Sequence, residues 1–414
     1  MTTRWALLLL LCVAMLLGLA LFRRGRPPSP EQFFHAGVTA FASGDVDSVQ
    51  TAAEALQGLA GYEPHAHVLE GMFLLRRDRL LEAIEQFGHG KDHPDTQVLA
   101  YALSGEALYK ARLFRDAERI LHTAVQLDPA QTEARRWLAA LYFDLGAMNH
   151  ALRHLEVVSR EAPSDPRPPK MRATIFKDFE KHAEAVAEYR ESLRRDPQQP
   201  DKHVILLGIA ECLVKLQRSA EAMEALADCP ESAAALALQA RCHYAQGDRA
   251  AARKLVDQAL RLAPGHLEAR QLRATLALDG GDLAAALADL RQAVEDHPND
   301  YRLRYRLAQV YQRLGQEPLA REQSEASKRL RELWTQFSKL HDQAMEQPTD
   351  VEVRYQLGLV ATRLDKPDVA SDWFSVVLAL DPQHAGARRA LRELVRGSGR
   401  DVISPRGPRP DSAE

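Results

Sequence analysis

Six prolines recur along this chain at a spacing that constrains the fold more than any other feature. Pro129, Pro163 and Pro197 stand 34 residues apart, as do Pro264 and Pro298, and Pro197 to Pro264 is 67, one short of two such periods. Counting Pro382 with them, a small residue lies twelve before each: Ala117, Ala151, Ala185, Ala252, Ala286 and Ala370. Eight before each lies a larger apolar one: Leu121, Leu155, Tyr189, Val256, Leu290 and Phe374. Glycine stands seventeen before the proline at Gly146, Gly247 and Gly281. A fixed period of this length signals stacked supersecondary units, each burying its apolar face on the next. The physics predicts a packed helix pair. Glycine ends the first helix in a left-handed conformation, alanine lets the two helices approach, and proline ends the second.

Weaker copies extend the array. Gly37, Gly44 and Leu56 outline a first unit, and Gly71, Ala83 and Phe87 a second. Leu206, Ala222 and Leu226 mark one whose second helix is cut short by Pro230, and Leu307, Ala308, Tyr311, Gly315 and Ala320 mark the unit before the last. The count is ten. The pattern resembles the tetratricopeptide repeat (TPR), a 34-residue helix pair with small, small, aromatic and proline positions in this order. The resemblance implies an all-α, right-handed superhelical solenoid over 31–397. Ala385 to Val395 would form a solvating cap helix, and 398–414, rich in Ser, Gly, Pro and Arg, would form a disordered tail.

One interval departs from the rule. Pro298 to Pro382 is 84 residues, two periods plus 16, and Leu319 to Met345 holds neither Gly nor Pro. Leu330, Leu333, Trp334, Phe337, Leu340 and Met345 give this stretch an apolar stripe at helical spacing. The expectation is a second helix lengthened by about four turns that packs on its neighbours. The sharper alternative is a protruding helix that docks a partner or a second copy.

Ahead of the array, Trp5 to Phe22 is 18 apolar or small residues without interruption, with Arg4 before it and Arg23, Arg24 and Arg26 after. As helix it would run roughly 27 Å, close to the hydrocarbon thickness of a bilayer. Residues 1–26 are read as a retained signal anchor and 27–30 as a proline-rich spacer. A cleaved signal peptide is the alternative, with Gly18-Leu19-Ala20 as the cleavage site, although the arginines that follow at once oppose export. The body is expected on the exported side of an envelope membrane, as in membrane-anchored TPR proteins of bacteria; the arginine balance leans toward a cytoplasmic body instead.

Catalytic signatures are missing from the sequence. It has no Gly-rich phosphate loop, nucleophile elbow or zinc-protease motif. None of its four cysteines forms a CxxC pair. His65 with His67, His89 with His93, and His150 with His154 could suggest metal, but no cysteine completes them, and solvent-exposed histidine is the expectation. The reading is therefore no enzyme, cofactor, metal or small-molecule substrate. A net charge of −3 gives no bulk basic field for nucleic acid.

Binding a protein partner is what the resemblance implies, with the first helix of each unit lining a concave face. That projection places Tyr109, Lys110, Arg136, Phe143, Arg167, Lys170, Lys177, Tyr305, Arg313 and Tyr355 there, together with Tyr244, Arg302 and Arg363. Aromatic and cationic groups together suit an extended partner with an acidic segment. The function expected is a membrane-tethered interaction scaffold that organises an envelope complex. Two other classes stay open. One is a regulatory or targeting subunit of an enzyme on another chain. The other is an RNA-binding helical-repeat protein, which the near-neutral charge opposes.

Overall fold

The structure, a computed structural model, describes residues 28–398. The stretch 5–22 and the tail beyond Ser398 lie outside the described residues, so the expected anchor and tail are not part of this account. Among the described residues there are 21 helices and no strand, and no helix is long and apolar enough to cross a membrane. The chain falls into two compact units, residues 1–111 and 112–414. The first unit holds α1 (Pro30–Ser43), α2 (Val46–Leu56), α3 (Glu63–Arg76), α4 (Leu80–Gly90) and α5 (Pro94–Lys110).

The second unit opens with α6 (Phe114–Leu127), α7 (Thr132–Asp144), α8 (Met148–Glu161), α9 (Arg167–Asp178) and α10 (His182–Arg195). It continues through α11 (Lys202–Lys215), α12 (Ser219–Ala227), α13 (Ala233–Ala245), α14 (Arg249–Leu262), α15 (Leu267–Asp279) and α16 (Leu283–Asp296). It closes with α17 (Tyr301–Arg313), α18 (Glu317–Glu346), α19 (Val351–Arg363), α20 (Pro367–Leu380) and α21 (Ala385–Ser398).

The repeat rule is written in backbone angles. Apart from Gly58 and Gly61 in the α2–α3 connection, left-handed residues fall at Gly44, Asp78, Arg112, Gly146 and Glu180, each 34 after the last, and then at Gln217, Gly247, Gly281, Gly315 and Asp365. Each of these ten lies between two consecutive helices. Only half are glycine. The others hold a left-handed angle that costs an L-residue roughly 1–2 kcal/mol, so the helix packing on either side must impose it. After three of the glycines the next residue is an aspartate whose carboxylate caps the following helix: Asp45, Asp248 and Asp282. Turn and cap are thus encoded by adjacent residues.

All six alanines twelve before the prolines are fully buried, and the six apolar residues four further on are at most 6% exposed. Small and large positions interlock at the α19–α20 crossing, where a Cβ placed on Gly358 would lie 2.4 Å from the ring of Phe374. α18 has 30 residues where most second helices have 14, and the difference equals the 16-residue excess in the sequence. It does not protrude. Besides α17 and α19 it contacts α8, while α20 contacts α6, so the stack of the second unit curls until its end meets its start.

Candidate protein-interaction site

Two consequences follow inside the second unit from that closure. First, the meeting point is pinned by Arg354 of α19, whose side chain is fully buried. Its Nη1 donates to the carbonyls of Gln347 (2.8 Å) and Asp350 (2.9 Å), and its Nη2 to those of Leu145 (2.5 Å) and Ala344 (3.3 Å). Leu145 ends α7, while Ala344 and Gln347 stand at the end of α18, so one cation satisfies the negative ends of two helices. Burial lowers the guanidinium pKa to about 10, which still leaves it charged at neutral pH.

Second, closure leaves a cavity of about 1050 Å³. Phe179, Leu267, Tyr301, Trp334 and Phe337 form its apolar walls. Its polar lining has six carboxylates (Asp178, Glu180, Asp296, Asp300, Asp342 and Asp365) against Arg302, Arg331 and Lys366. α18 supplies the aromatic side. Trp334 and Phe337 meet edge to face at 5.8 Å, and the Lys366 ammonium lies 4.8 Å from the Trp334 ring. His341, whose pKa is lowered by burial, lies 5.9 Å from the ring of Phe179. Of the apolar stripe read from the sequence, Trp334 and Phe337 therefore face the cavity.

None of the ten residues first projected onto the groove lines this cavity; of the wider set, Arg302 does. The basic members other than Arg313 are already held by carboxylates. Lys110 pairs with Glu106 at 2.7 Å in the first unit. In the second, Arg136 pairs with Glu133 and with Asp165, the latter at 2.7 Å, and Arg167 pairs with Asp165 at 3.0 Å. Lys170 pairs with Asp201 at 2.8 Å and Lys177 with Glu211 at 3.0 Å. Arg136, Lys170 and Lys177 thus tie neighbouring repeats, while Lys110 and Arg167 are held by carboxylates of their own helix or of the turn before it, so these five do not form an uncompensated field.

The aromatic members divide. Tyr109 is only 2% exposed and offers no groove surface. Phe143 is half-buried, and Tyr355 packs against Phe374 and His384. Tyr244 donates to Asp279 at 2.9 Å, one repeat on. Tyr305, 55% exposed, and Arg313 face solvent on α17. Arg363 donates to Gln336 of α18 at 3.1 Å.

Of the histidines expected to be exposed, His89 is, His65 is buried, and His67, His93, His150 and His154 are half-buried. His65 is 6% exposed and lies against His93, while His67 lies against His89, so the pairs form across helices and not along them. His154 stacks on Tyr142 at 5.6 Å, and burial first, then His122 and Arg135, brings its pKa down to about 3.

A further group of residues was missed: arginines six after the repeat prolines. Arg135 and Arg304 donate through Nε to the carbonyls of Pro129 (2.8 Å) and Pro298 (2.7 Å), and Arg270 donates to that of Pro264. The constant offset from proline was the signal that could have found them.

Helix pairs in fixed register, left-handed turns between them and small-to-large crossings define a repeat scaffold. Models of the tetratricopeptide-repeat family match residues 108–175 and 277–331, and 170–228 and 224–266. Together they cover about half of the chain, which belongs to the tetratricopeptide-repeat family. A curated relative, DnaJ homolog subfamily C member 3 of Gallus gallus, is 25% identical over 216 residues. That match takes in 52% of this chain and 39% of the relative, so this chain spans well under half of that protein's length. Among solved structures, the Cut9–Hcn1 hetero-tetramer of APC/C is similar at 14% identity and a TM-score of 0.40, covering 89% of this chain and 84% of that one. MamA is similar at 15% identity and 0.32, covering 40% and 96%.

Proposed function

We propose that this chain is a non-catalytic scaffold that receives an extended segment of a partner protein in the cavity of the second unit. The observation that carries the reading is the lining: apolar walls from Phe179, Trp334 and Phe337 together with three cations and six carboxylates, of which Asp296 is held by Arg270. Such a site favours a segment with a basic residue beside an apolar anchor, through charge complementarity and aromatic burial. Trp5–Phe22 would tether the scaffold to a membrane, and its 18 apolar residues between arginines support that. Organisation of an envelope complex is the role this arrangement suits.

A second reading keeps the partner acidic and seats it on the first-helix strip. The exposed Tyr305 and Arg313 favour it, but its other cations would have to exchange their own carboxylates for the partner's.

The test is crosslinking of the full-length protein in native membranes, with captured partners identified by mass spectrometry. Trp334→Ala with Phe179→Ala should abolish the capture, while Arg136→Glu with Lys170→Glu should leave it intact. The opposite pattern would move the site to the strip. Tethering predicts sedimentation with membranes through high-salt washes, since burial in lipid ignores ionic screening. A mature N-terminus at Leu21 would refute the anchor.

A further inference from the structure

In the first unit a cluster stands that the cavity reading does not use. We propose that His65, His93 and Asp95 bind one divalent transition-metal ion, zinc fitting best, which clamps the start of α3 to the start of α5.

One ligand atom from each of these residues lies within 4.8 Å of the others, and this is the one such cluster among the described residues. Tetrahedral zinc with bonds near 2.0–2.1 Å sets its ligand atoms about 3.3 Å apart, so side-chain rotation closes the gap without moving helices. His65 shows why an ion belongs there. It is 6% exposed, walled by the rings of Phe34 at 4.8 Å and Tyr62 at 5.2 Å, and its Nδ1 is buried without a hydrogen-bond partner. A buried, unpaired ring nitrogen is a standing cost, and a metal bond removes it.

His93 and Asp95 complete the set from the opening turn of α5. The Nδ1 of His93 accepts the Asp95 N–H at 3.2 Å and lies 3.9 Å from the Asp95 carboxylate. That lone pair can turn from the cap to an ion. Asp95 is exposed, which gives entry from solvent and leaves a fourth position for water. The neighbouring pair differs: His67 Nδ1 is already 2.7 Å from the amide oxygen of Gln86, so it serves as a control.

The experiment uses tag-free, full-length protein in detergent, stripped of metal and titrated with Co2+ for its visible absorption, then with Zn2+ in competition. One tightly bound equivalent is expected, with tetrahedral Co2+ bands and slower hydrogen exchange at the starts of α3 and α5. Because loss of a mere outer-shell partner costs about 10–100-fold in affinity, His65→Gln should weaken binding by at least about a hundredfold. Asp95→Asn, at an exposed position that cannot unfold the core, should also weaken it and abolish the carboxylate contribution to the spectrum. His67→Gln should change nothing. Absence of binding at millimolar Zn2+, or one equivalent retained with unchanged affinity in Asp95→Asn or in His65→Gln with His93→Gln, would overturn the assignment.

Discussion

Replacing Arg354 by methionine removes the pin at which the second unit closes, and the outcome can be worked from the contacts. Four carbonyls lose a cationic donor: the bonds to Leu145 and Ala344 are buried, and those to Gln347 and Asp350 are part-buried. At roughly 1 kcal/mol for each acceptor left unpaired, the loss is about 4 kcal/mol. Removing a desolvated charge returns part of it, and the methionine stem keeps some packing, so the net expectation is about 3 kcal/mol. Among the described residues no carboxylate forms an ion pair with Arg354, so the effect comes from helix ends and not from a salt bridge. Arg354→Lys keeps the charge but not the planar fork that reaches both helix ends, and should recover less than half. A repeat array opens locally, so the assay is native-state hydrogen exchange. Protection should fall at the ends of α7 and α18 and stay unchanged in α13 and α14, which lie remote from the pin. A loss below about 0.5 kcal/mol, or equal loss along the array, would refute the reasoning.

Three further outcomes follow. Gln217 is exposed with φ of 60°, so Gln217→Gly should stabilise its helix pair by about 0.5–1 kcal/mol by relieving left-handed strain; a loss in chemical denaturation would contradict this. The reverse change, Gly247→Ala at φ of 87° with open space around it, should cost about 1 kcal/mol by the same measurement. His154 has a folded pKa of about 3 against 6.5 for the free side chain. The unfolded state therefore binds the extra proton, and the contribution, complete above pH 6.5, is lost as pH falls toward 3. At pH 5 the loss is about 2 kcal/mol; an NMR titration midpoint for His154 near 6.5 would refute it.

Much of the fold was legible because a repeat constrains every unit by its neighbours. The alanines, the apolar positions four residues later and the 16-residue excess in α18 all followed from the spacing of prolines. Even the non-glycine turns were within reach: Asp78 and Arg112 fall at the 34-residue steps between Gly44 and Gly146. What a period cannot supply is contact between units far apart in sequence. Arg354 and Leu145 are 209 residues apart, and their meeting depends on small rotations accumulated over the intervening helix pairs. No local pattern marks that closure, so the inward face of α18 and the cavity it bounds could not be foreseen.

The charge reading left out a different physical factor. A basic residue on one first helix was counted as a free cation, when the neighbouring repeat places a carboxylate beside it. The offsets lie close to the period: Arg136 to Asp165, Lys170 to Asp201 and Lys177 to Glu211 are 29, 31 and 34 residues. In a stack of this kind the electrostatic environment of a position includes the position one repeat on as much as the helix it belongs to. A strip should count as a binding field only after those partners are subtracted. At the cavity of the second unit that subtraction removes Asp296, which Arg270 holds at 3.6 Å; acidic side chains still outnumber basic ones in the lining, so a basic segment should be captured there more readily than an acidic one, by a modest margin.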